Sequence, residues 1–336
     1  MSKVYFTDMR TSFTENLPKK LTRLIDRAGL GTIDFDHKFV AIKIHFGEMG
    51  NLAYLRPQYA RALAAYIKER GGLPFLTDCN TLYVGSRKNA LEHIETAYIN
   101  GYTPYATGCQ VIIADGVRGT DEAYIPIGCE EVKTAKIGRA IADADIIISL
   151  NHFKGHEEAG FGGALKNLGM GSGSRAGKME MHYDGKPVVD RDNCVGCGRC
   201  IAICSFDAIK PDNSSSEASL NRRIAEYAYA VVKDKPNFHI SIAADISPNC
   251  DCHPENDAPI VPNIGMFASF DPVAIDLAAA DAVNAMPANP RSALSEAECR
   301  CHDHFINVHP NTNWRVQIEH GEEIGLGSSE YELIRI

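Results

Sequence analysis

Short apolar runs alternate along this chain with stretches in which apolar residues recur every three or four positions. The first pattern predicts strands and the second predicts amphipathic helices. The predicted strands are 39–46, 73–78, 111–116, 145–153 and 238–246. The predicted helices are 57–72, 86–102, 130–144, 216–234 and 271–286. Strands that are apolar throughout and separated by helices are typical of a mostly parallel sheet covered on both faces, so we predict a doubly wound α/β fold.

A short segment rich in cysteine interrupts this alternation between residues 183 and 213. The polar stretch 211–216 closes it, and the alternation of helix and strand then resumes. We therefore predict an α/β body whose first part covers 1–182 and whose second part covers 214–336. The segment 183–213 is predicted to be a small insertion between these two parts.

The overall composition narrows the choice of partners. The chain has a formal net charge of −9, and 45% of its residues are hydrophobic, as in soluble globular proteins. Because a nucleic-acid surface needs clustered basic charge, we expect no nucleic-acid partner. The first residues lack the apolar core of a signal peptide, and no apolar run approaches the ~20 residues that span a bilayer. We therefore expect a cytoplasmic protein with no membrane partner.

The chain contains eleven cysteines, and their number in a reducing compartment favours metal binding or redox chemistry over disulfides. Four of them have the spacing C-x₂-C-x₂-C-x₃-C, which is typical of the ligands of a [4Fe–4S] cluster. A zinc knuckle usually separates two close pairs by a longer loop, so the spacing favours one ferredoxin-like cluster over zinc or four buried thiols. The predicted cluster ligands are Cys194, Cys197, Cys200 and Cys204.

The fourth ligand of this cluster has two possible sources. In bacterial ferredoxins proline follows the fourth cysteine, which binds a second cluster, whereas here Ser205 follows Cys204 and the sequence has no second motif. Either Cys204 binds the same cluster as the other three cysteines, or a cysteine elsewhere in the chain supplies the fourth thiolate ligand. The remote candidates are Cys109, Cys250, Cys252, Cys299 and Cys301. Isolated cysteines more often act as small buried hydrophobic side chains, which we expect for Cys79, Cys109 and Cys129.

A glycine-rich segment follows the predicted strand 145–153 at its carboxyl end, where open α/β sheets bind ligands. Glycines with positive φ let backbone amides form an anion-binding nest, and lysines add positive charge. We therefore predict that residues 155–178 form a loop that holds a small anionic substrate. The predicted binding residues are Gly162, Gly163, Lys166, Gly169, Gly171 and Lys178.

Two further polar residues, His45 and Glu48, lie at the end of the predicted strand 39–46. If this strand lies beside the glycine-rich segment, they line one cleft together with His156 and His182. We predict that His45, Glu48, His156 and Lys166 are catalytic, because histidine and carboxylate side chains exchange protons near neutral pH. The alternative for each histidine is a surface or capping role.

Several longer stretches resemble a known protein family. The stretches "IKIHFGEMGN", "GCQVIIADG" and "FKGHEEAGFGGALKNLGMGSGSRAGKMEMH", with "SPNCDC" before "DPVAID", resemble the domain of unknown function 362 family across nearly the whole chain. This resemblance implies an α/β body that carries a ferredoxin-like, iron–sulfur-binding insertion. Members of that family often carry two four-cysteine motifs, whereas this chain has one.

A second resemblance covers one segment only. "HEEAGFGGALK" (156–166), followed by a later histidine, is similar to the active-site loop of the nickel-pincer lactate racemases, in which a lysine carries the cofactor and a histidine binds nickel. This resemblance implies that Lys166 carries a second cofactor and that His182 binds a metal, with His156 as the acid–base partner. Otherwise Lys166 only neutralises a bound anion and His182 caps the entrance to the insertion.

Together these patterns predict an iron–sulfur oxidoreductase that acts on a small anionic molecule held by residues 155–178. Its body is larger than a cluster carrier needs, and its redox partner is expected to be a protein such as a ferredoxin or a reductase. One alternative is a ferredoxin-like electron carrier or binding module without catalysis of its own. The other is a racemase- or isomerase-like enzyme with a metal or nickel-pincer cofactor at Lys166 and His182.

Overall fold

The structure is a computed structural model that describes residues 1–83, 85–183, 187–189, 209–211, 217–298 and 300–336. Its strands are β1 (Ser2–Asp8), β2 (Phe39–Lys43), β3 (Leu73–Asp78), β4 (Gln110–Ile113), β5 (Glu122–Pro126), β6 (Thr134–Gly138), β7 (Ile146–His152), β8 (Lys154–His156), β9 (Gly160–Gly162), β10 (Pro187–Val189), β11 (Ile209–Pro211), β12 (Asn237–Ala243), β13 (Gly265–Ser269) and β14 (Tyr331–Arg335).

The predicted helices 57–72, 86–102, 216–234 and 271–286 are each present within a few residues of their predicted ends. The helices of the structure are α1 (Leu17–Arg27), α2 (Pro57–Lys68), α3 (Ala90–Ile99), α4 (Pro104–Thr107), α5 (Arg139–Asp143), α6 (Ala164–Ser172), α7 (Arg175–Tyr183), α8 (Glu217–Val232), α9 (Pro272–Asn284), α10 (Ala293–Glu296), α11 (His304–Val308) and α12 (Arg315–Glu323). A short 3₁₀ turn covers Leu30–Thr32. Among the described residues, no helix is long and apolar enough to cross a bilayer.

One large sheet organises the part of the chain that the structure describes. Its strand order is β14-β1-β13-β12-β7-β2-β3-β4. Among these eight strands, β13 alone runs antiparallel to its neighbours, and the other pairs are parallel. Strands from both sides of the segment 183–213 share this sheet, since β7 pairs with β12.

Helices cover both faces of the sheet, each over its own apolar core. Along β2, Val40 and Ile42 point into the core beneath α1 and α2, whereas Ala41 points into the core beneath α6, α8, α9 and α12. The central strand β7 is buried along its whole length, as expected for a strand covered on both faces. The predicted fold class, a mostly parallel doubly wound α/β body, is confirmed.

The predicted helix over 130–144 is wrong in its first half. Residues Thr134–Gly138 form β6, which pairs antiparallel with β5, and only Arg139–Asp143 is helical. Two features explain the difference. Ala135 and Ile137 alternate into the core with the period of a strand, and the carboxylate of Glu226 in α8 accepts hydrogen bonds from the backbone N–H groups of residues 131 and 132.

The predicted anion-binding loop over 155–178 is also organised differently. It contains the hairpin β8–β9, all of α6 and the start of α7. The four glycines predicted to bind a cofactor, Gly162, Gly163, Gly169 and Gly171, do not have positive φ, and so they do not form the predicted nest. They supply space instead: a Cβ on Gly169 would lie 2.1 Å from the backbone oxygen of Ile224, so its absence lets α6 pack closely on α8.

Candidate active site

The carboxyl ends of β12, β7, β2 and β3 meet at one edge of the sheet, because these four neighbouring strands are parallel. The segments that follow them bring polar side chains to this edge. Gly155 makes the approach of β8 to the segment after β12 possible, since a Cβ at this position would lie 2.0 Å from the oxygen of Pro248. Open α/β sheets bind their ligands at such an edge.

Lys166 and Cys250 form the centre of this group. Lys166 Nζ lies 3.3 Å from Cys250 Sγ, and the cysteine is buried. Hydrogen bonding from Cys252, together with the nearby Lys166, Lys154 and His156, holds the pKa of the Cys250 thiol well below its ordinary value. Burial acts to lower the pKa of Lys166, but the charge of Cys250 outweighs it and raises that pKa. The pair is therefore a thiolate and an ammonium.

The start of α6 sets the position of Lys166. The two carboxylate oxygens of Asp276 in α9 accept hydrogen bonds from the backbone N–H groups of Ala164 and Leu165, at 2.6 Å and 2.8 Å. Burial raises the pKa of Asp276 to about 7. This contact fixes the first turn of α6, and with it the origin of the Lys166 side chain.

His156 and His182 lie near the same pair. His156 Nδ1 accepts hydrogen bonds from the N–H groups of Glu158 and Ala159 at 3.1 Å and 3.0 Å, so its neutral ring carries the proton on Nε2. His182 Nδ1 lies 3.4 Å from a carboxylate oxygen of Glu158. Burial, followed by the positive charge of Lys166, lowers the pKa of His182 to about 3, so this ring is neutral at physiological pH.

Glu157, Cys252 and His253 form a second group beside Cys250. One ligand atom from each lies within 4.8 Å of the others, and all three residues are half-buried. His253 Nε2 lies 2.9 Å from Glu157 Oε1. The hydrogen bond to Glu157 raises the pKa of His253 to about 9. Glu157 and His253 are absent from the sequence prediction, which considered only the two cysteines in this part of the chain.

His152 fastens the segment after β12 to the end of β7. Its Nδ1 lies 2.8 Å from Asp251 Oδ2, and its Nε2 lies 2.9 Å from the oxygen of Ala244. Burial opposes ionisation of Asp251, but His152 and Lys154 lower its pKa to about 2. Because both ring nitrogens already have partners, His152 positions the segment that carries Cys250 and does not face a substrate.

His45 and Glu48 both follow β2 at this edge, where the backbone N–H of Glu48 donates to the oxygen of Asp251 at 2.9 Å. His45 Nδ1 accepts a hydrogen bond from the N–H of Gly47 at 3.0 Å, and burial, followed by the charge of Arg87, lowers its pKa to about 3. Its ring is therefore neutral and carries its proton on Nε2. The Glu48 carboxylate instead accepts hydrogen bonds from the backbone N–H of Ser86 at 2.6 Å and from Arg87 Nε at 3.2 Å.

A buried ionic network adjoins the site, and the sequence prediction missed it. Lys43 Nζ lies 2.9 Å from Asp78 Oδ1 and 2.7 Å from Asn167 Oδ1, and Arg87 contacts the other oxygen of Asp78. A signal was present in the sequence, because Lys43 interrupts the apolar run 39–46. The predicted binding residue Lys178 donates instead to the backbone oxygen of Gly173 at 2.6 Å, at the end of α6.

The predicted iron–sulfur ligands, Cys194, Cys197, Cys200 and Cys204, lie outside the described residues, as does Cys299. Of the remaining cysteines, Cys79 and Cys109 are buried as expected, whereas Cys129 is half-buried and Cys301 is exposed. The two remote candidates that the structure brings to the site are Cys250 and Cys252.

The fold and this edge site can now be set against known proteins. Residues 40–281 match the profile of the family described as Domain of unknown function (DUF362). The chain therefore belongs to the DUF362 family, as its sequence motifs predict. No curated protein matches the chain.

Two solved structures are similar to part of the chain. The lactate racemase apoprotein from Thermoanaerobacterium thermosaccharolyticum is similar over 73% of this chain and 51% of its own, with 12% identity and a TM-score of 0.42. A protein from Thermotoga maritima is similar over 78% of this chain and 56% of its own, with 15% identity and a TM-score of 0.42. The chain thus spans about half the length of these two proteins.

Proposed function

We propose that this chain is an enzyme of the isomerase or racemase class, which moves a proton on a small carboxylate bound at the carboxyl edge of the sheet. The contact between Lys166 Nζ and Cys250 Sγ carries this proposal. A buried ion pair of this kind is expensive to maintain, and strongly perturbed pKa values cluster at functional sites.

The charges at this edge suit an anionic substrate. Lys154 is buried, with its Nζ 3.3 Å from the oxygen of His152 and 3.9 Å from Asp251 Oδ2, and Lys166 lies beside Cys250. The positive charges of Lys154 and Lys166 would attract a bound anion. Because both side chains have little contact with solvent, this attraction is stronger than it would be at the surface. The neutral His45 ring adds an Nε2–H donor that can stabilise negative charge developing on a substrate oxygen.

The histidines of the site supply the remaining chemistry. His182 contributes a neutral imidazole, which is a common metal ligand, and His156, whose Nδ1 accepts backbone hydrogen bonds, presents Nε2 to the Cys250 side. The residues around Lys166 and His182 therefore fit a bound metal or a cofactor attached to Lys166. When bound, such a group would stabilise the electron pair that stays on the substrate carbon when the proton leaves.

The test is exchange of the carbon-bound hydrogen next to the carboxylate in a panel of small 2-hydroxy carboxylates, followed by NMR in deuterated water. Protein from its native host should catalyse exchange with at least one of them. Lys166→Met should abolish the exchange, whereas Lys19→Met, at an exposed lysine, should retain it. If no substrate exchanges while intact mass shows an unmodified Lys166 and elemental analysis shows no bound metal, the proposal is wrong.

A second function is favoured by one specific observation, the C-x₂-C-x₂-C-x₃-C spacing of residues 194–204. We propose that a [4Fe–4S] cluster there makes the chain a redox protein of the cytoplasm that exchanges electrons with a ferredoxin or a reductase. Only the stretch 183–193 separates His182 from Cys194, and that chain reaches at most ~40 Å.

Anaerobic purification followed by iron and acid-labile sulfide analysis tests this second function. Wild type and Cys129→Ser should contain about four iron and four sulfide per chain, and Cys197→Ser should lose most of both. Zinc without labile sulfide would rule out the iron–sulfur function. If the protein contains the iron–sulfur cluster and also catalyses exchange of the substrate hydrogen, both functions belong to one enzyme.

A further inference from the structure

We propose that Glu157, Cys252 and His253 bind a divalent transition-metal ion of the zinc type, because their carboxylate, thiol and imidazole ligand atoms lie within 4.8 Å of one another. This metal site is separate from the cysteines of 194–204, and it does not depend on the isomerase function. It also differs from a metal held by His182.

The geometry already approaches that of a bound ion. Ligands at about 2.0–2.3 Å from a tetrahedral zinc lie roughly 3.3–3.8 Å from one another. Glu157 Oε1 and His253 Nε2 are 2.9 Å apart, and no pair in the group exceeds 4.8 Å. The three ligand atoms are therefore about 1 Å or less from the separations that a tetrahedral ion requires.

The backbone that carries the three ligands is held in place. The N–H of Cys250 contacts the second oxygen of Glu157 at 3.4 Å, and the N–H of His253 donates to the oxygen of Cys250 at 3.1 Å. Asn51 Nδ2 donates to the oxygen of His253 at 3.0 Å. Such supporting hydrogen bonds orient ligands and are typical of metal sites.

An ion pair between His253 and Glu157 does not explain why the thiol of Cys252 lies beside them. A surface ion pair of two half-buried groups needs no thiol beside it, yet Cys252 completes a set of oxygen, nitrogen and sulfur atoms. The partial exposure of all three residues gives an ion a path from solvent. The site therefore has both the ligands and the access that a metal requires.

The ligand types select the metal. Thiolate and imidazole ligands favour zinc, iron, cobalt and nickel, whereas magnesium and calcium prefer oxygen alone. Three protein ligands leave one tetrahedral position open, as in catalytic zinc sites, and not closed, as in structural ones. A water molecule or a substrate oxygen would take the open position.

The experiment uses the whole chain and two probes, Zn²⁺ and Co²⁺. After saturation and gel filtration, wild type should retain one more equivalent of zinc per chain than Cys252→Ser or His253→Gln. The matched control Cys129→Ser, at a half-buried cysteine outside the site, should retain the wild-type amount. Zinc bound by residues 194–204 cancels in this comparison, because every variant keeps those cysteines.

Cobalt identifies the ligands directly. The near-ultraviolet thiolate-to-cobalt band should weaken by one thiolate in Cys252→Ser and should persist in His253→Gln with reduced affinity. Circular dichroism checks that each variant is folded, and Glu157→Gln provides a third test if one of them is not. Equal zinc retention by wild type and all folded ligand variants would overturn the proposal, whatever the isomerase assay shows.

Discussion

Lys43 Nζ lies 2.9 Å from Asp78 Oδ1, and both side chains are almost fully buried at the ends of the adjacent strands β2 and β3. Arg87 contacts the second oxygen of Asp78 from the other side. Burial opposes ionisation of Asp78, but Lys43 and the neighbouring cations hold its pKa below the ordinary value. Asp78 thus bridges Lys43 and Arg87 beside the candidate site, and the Glu48 carboxylate also pairs with Arg87.

Replacement of Asp78 should therefore destabilise the protein strongly. Asp78→Asn leaves Lys43 with a neutral partner and weakens the anchoring of Arg87, and loss of one member of a buried ion pair typically costs about 3–5 kcal/mol. The free energy of unfolding in urea measures the effect. Asp121→Asn removes an exposed carboxylate 3.9 Å from Arg139 and should cost less than about 1 kcal/mol. Equal losses in the two variants would contradict the role of the network.

The sequence predicts the local elements of this region and does not predict their partners. The apolar run 39–46 identifies β2, and 73–78 coincides with β3. The pairing of Lys43 with Asp78 depends on strand order, which no local pattern contains. For the same reason, the sequence could propose that His45 and Glu48 share a cleft but could not show that the Glu48 carboxylate pairs with Arg87.

The sequence predicts those residues of the candidate site that belong to a recognisable local pattern. Lys166, His156 and His182 stand out because they share a glycine-rich segment after a strand, and Cys250 and Cys252 because they form a close pair. Glu157 and His253 carry no such signal. They meet only because β8 packs against the segment after β12, a contact between distant parts of the chain.

Asp115 should make stability depend on pH. Burial raises its pKa to about 6. Its buried Oδ2 has no hydrogen-bond partner among the described residues, whereas Oδ1 accepts from the Asn80 backbone and side chain. Since the unfolded value is near 3.8, the folded state binds the proton more tightly. The stabilisation from Asp115 is therefore complete below about pH 4 and is lost as the pH rises to about 6, with a total near 3 kcal/mol.

Urea unfolding of wild type and Asp115→Asn over this pH range isolates the effect. The difference between the two proteins should change by about 3 kcal/mol between about pH 4 and pH 6 and should stay constant above that. The amide keeps the acceptor for Asn80 and cannot ionise. A difference that is independent of pH would show that Asp115 titrates alike in the folded and unfolded states.

Gly169 should tolerate no side chain. A Cβ there would lie 2.1 Å from the backbone oxygen of Ile224, so Gly169→Ala must push α6 away from α8, at a cost of about 1–3 kcal/mol or more. Gly321→Ala is the matched control in α12, because its Cβ would meet side-chain methyl groups and no backbone atom, with Val273 at 2.9 Å and Leu326 at 3.9 Å. There the gain in helix propensity of about 1 kcal/mol offsets the contact. Thermal unfolding should separate the two variants, and similar melting temperatures would contradict close packing of α6 on α8.

The last prediction concerns the protonation of His45. Its ring should remain neutral, with the proton on Nε2, because burial and the charge of Arg87 lower its pKa to about 3 and the N–H of Gly47 occupies Nδ1. Nitrogen-15 NMR of histidine-labelled protein should show rings whose shifts do not change between about pH 5 and pH 8, and one of these signals should be absent from His45→Gln. Such a ring cannot be a general base through Nδ1, but it can donate from Nε2 to a substrate oxygen that becomes negative. Titration of the His45 signal near pH 6 would contradict this assignment and would make His45 a proton acceptor.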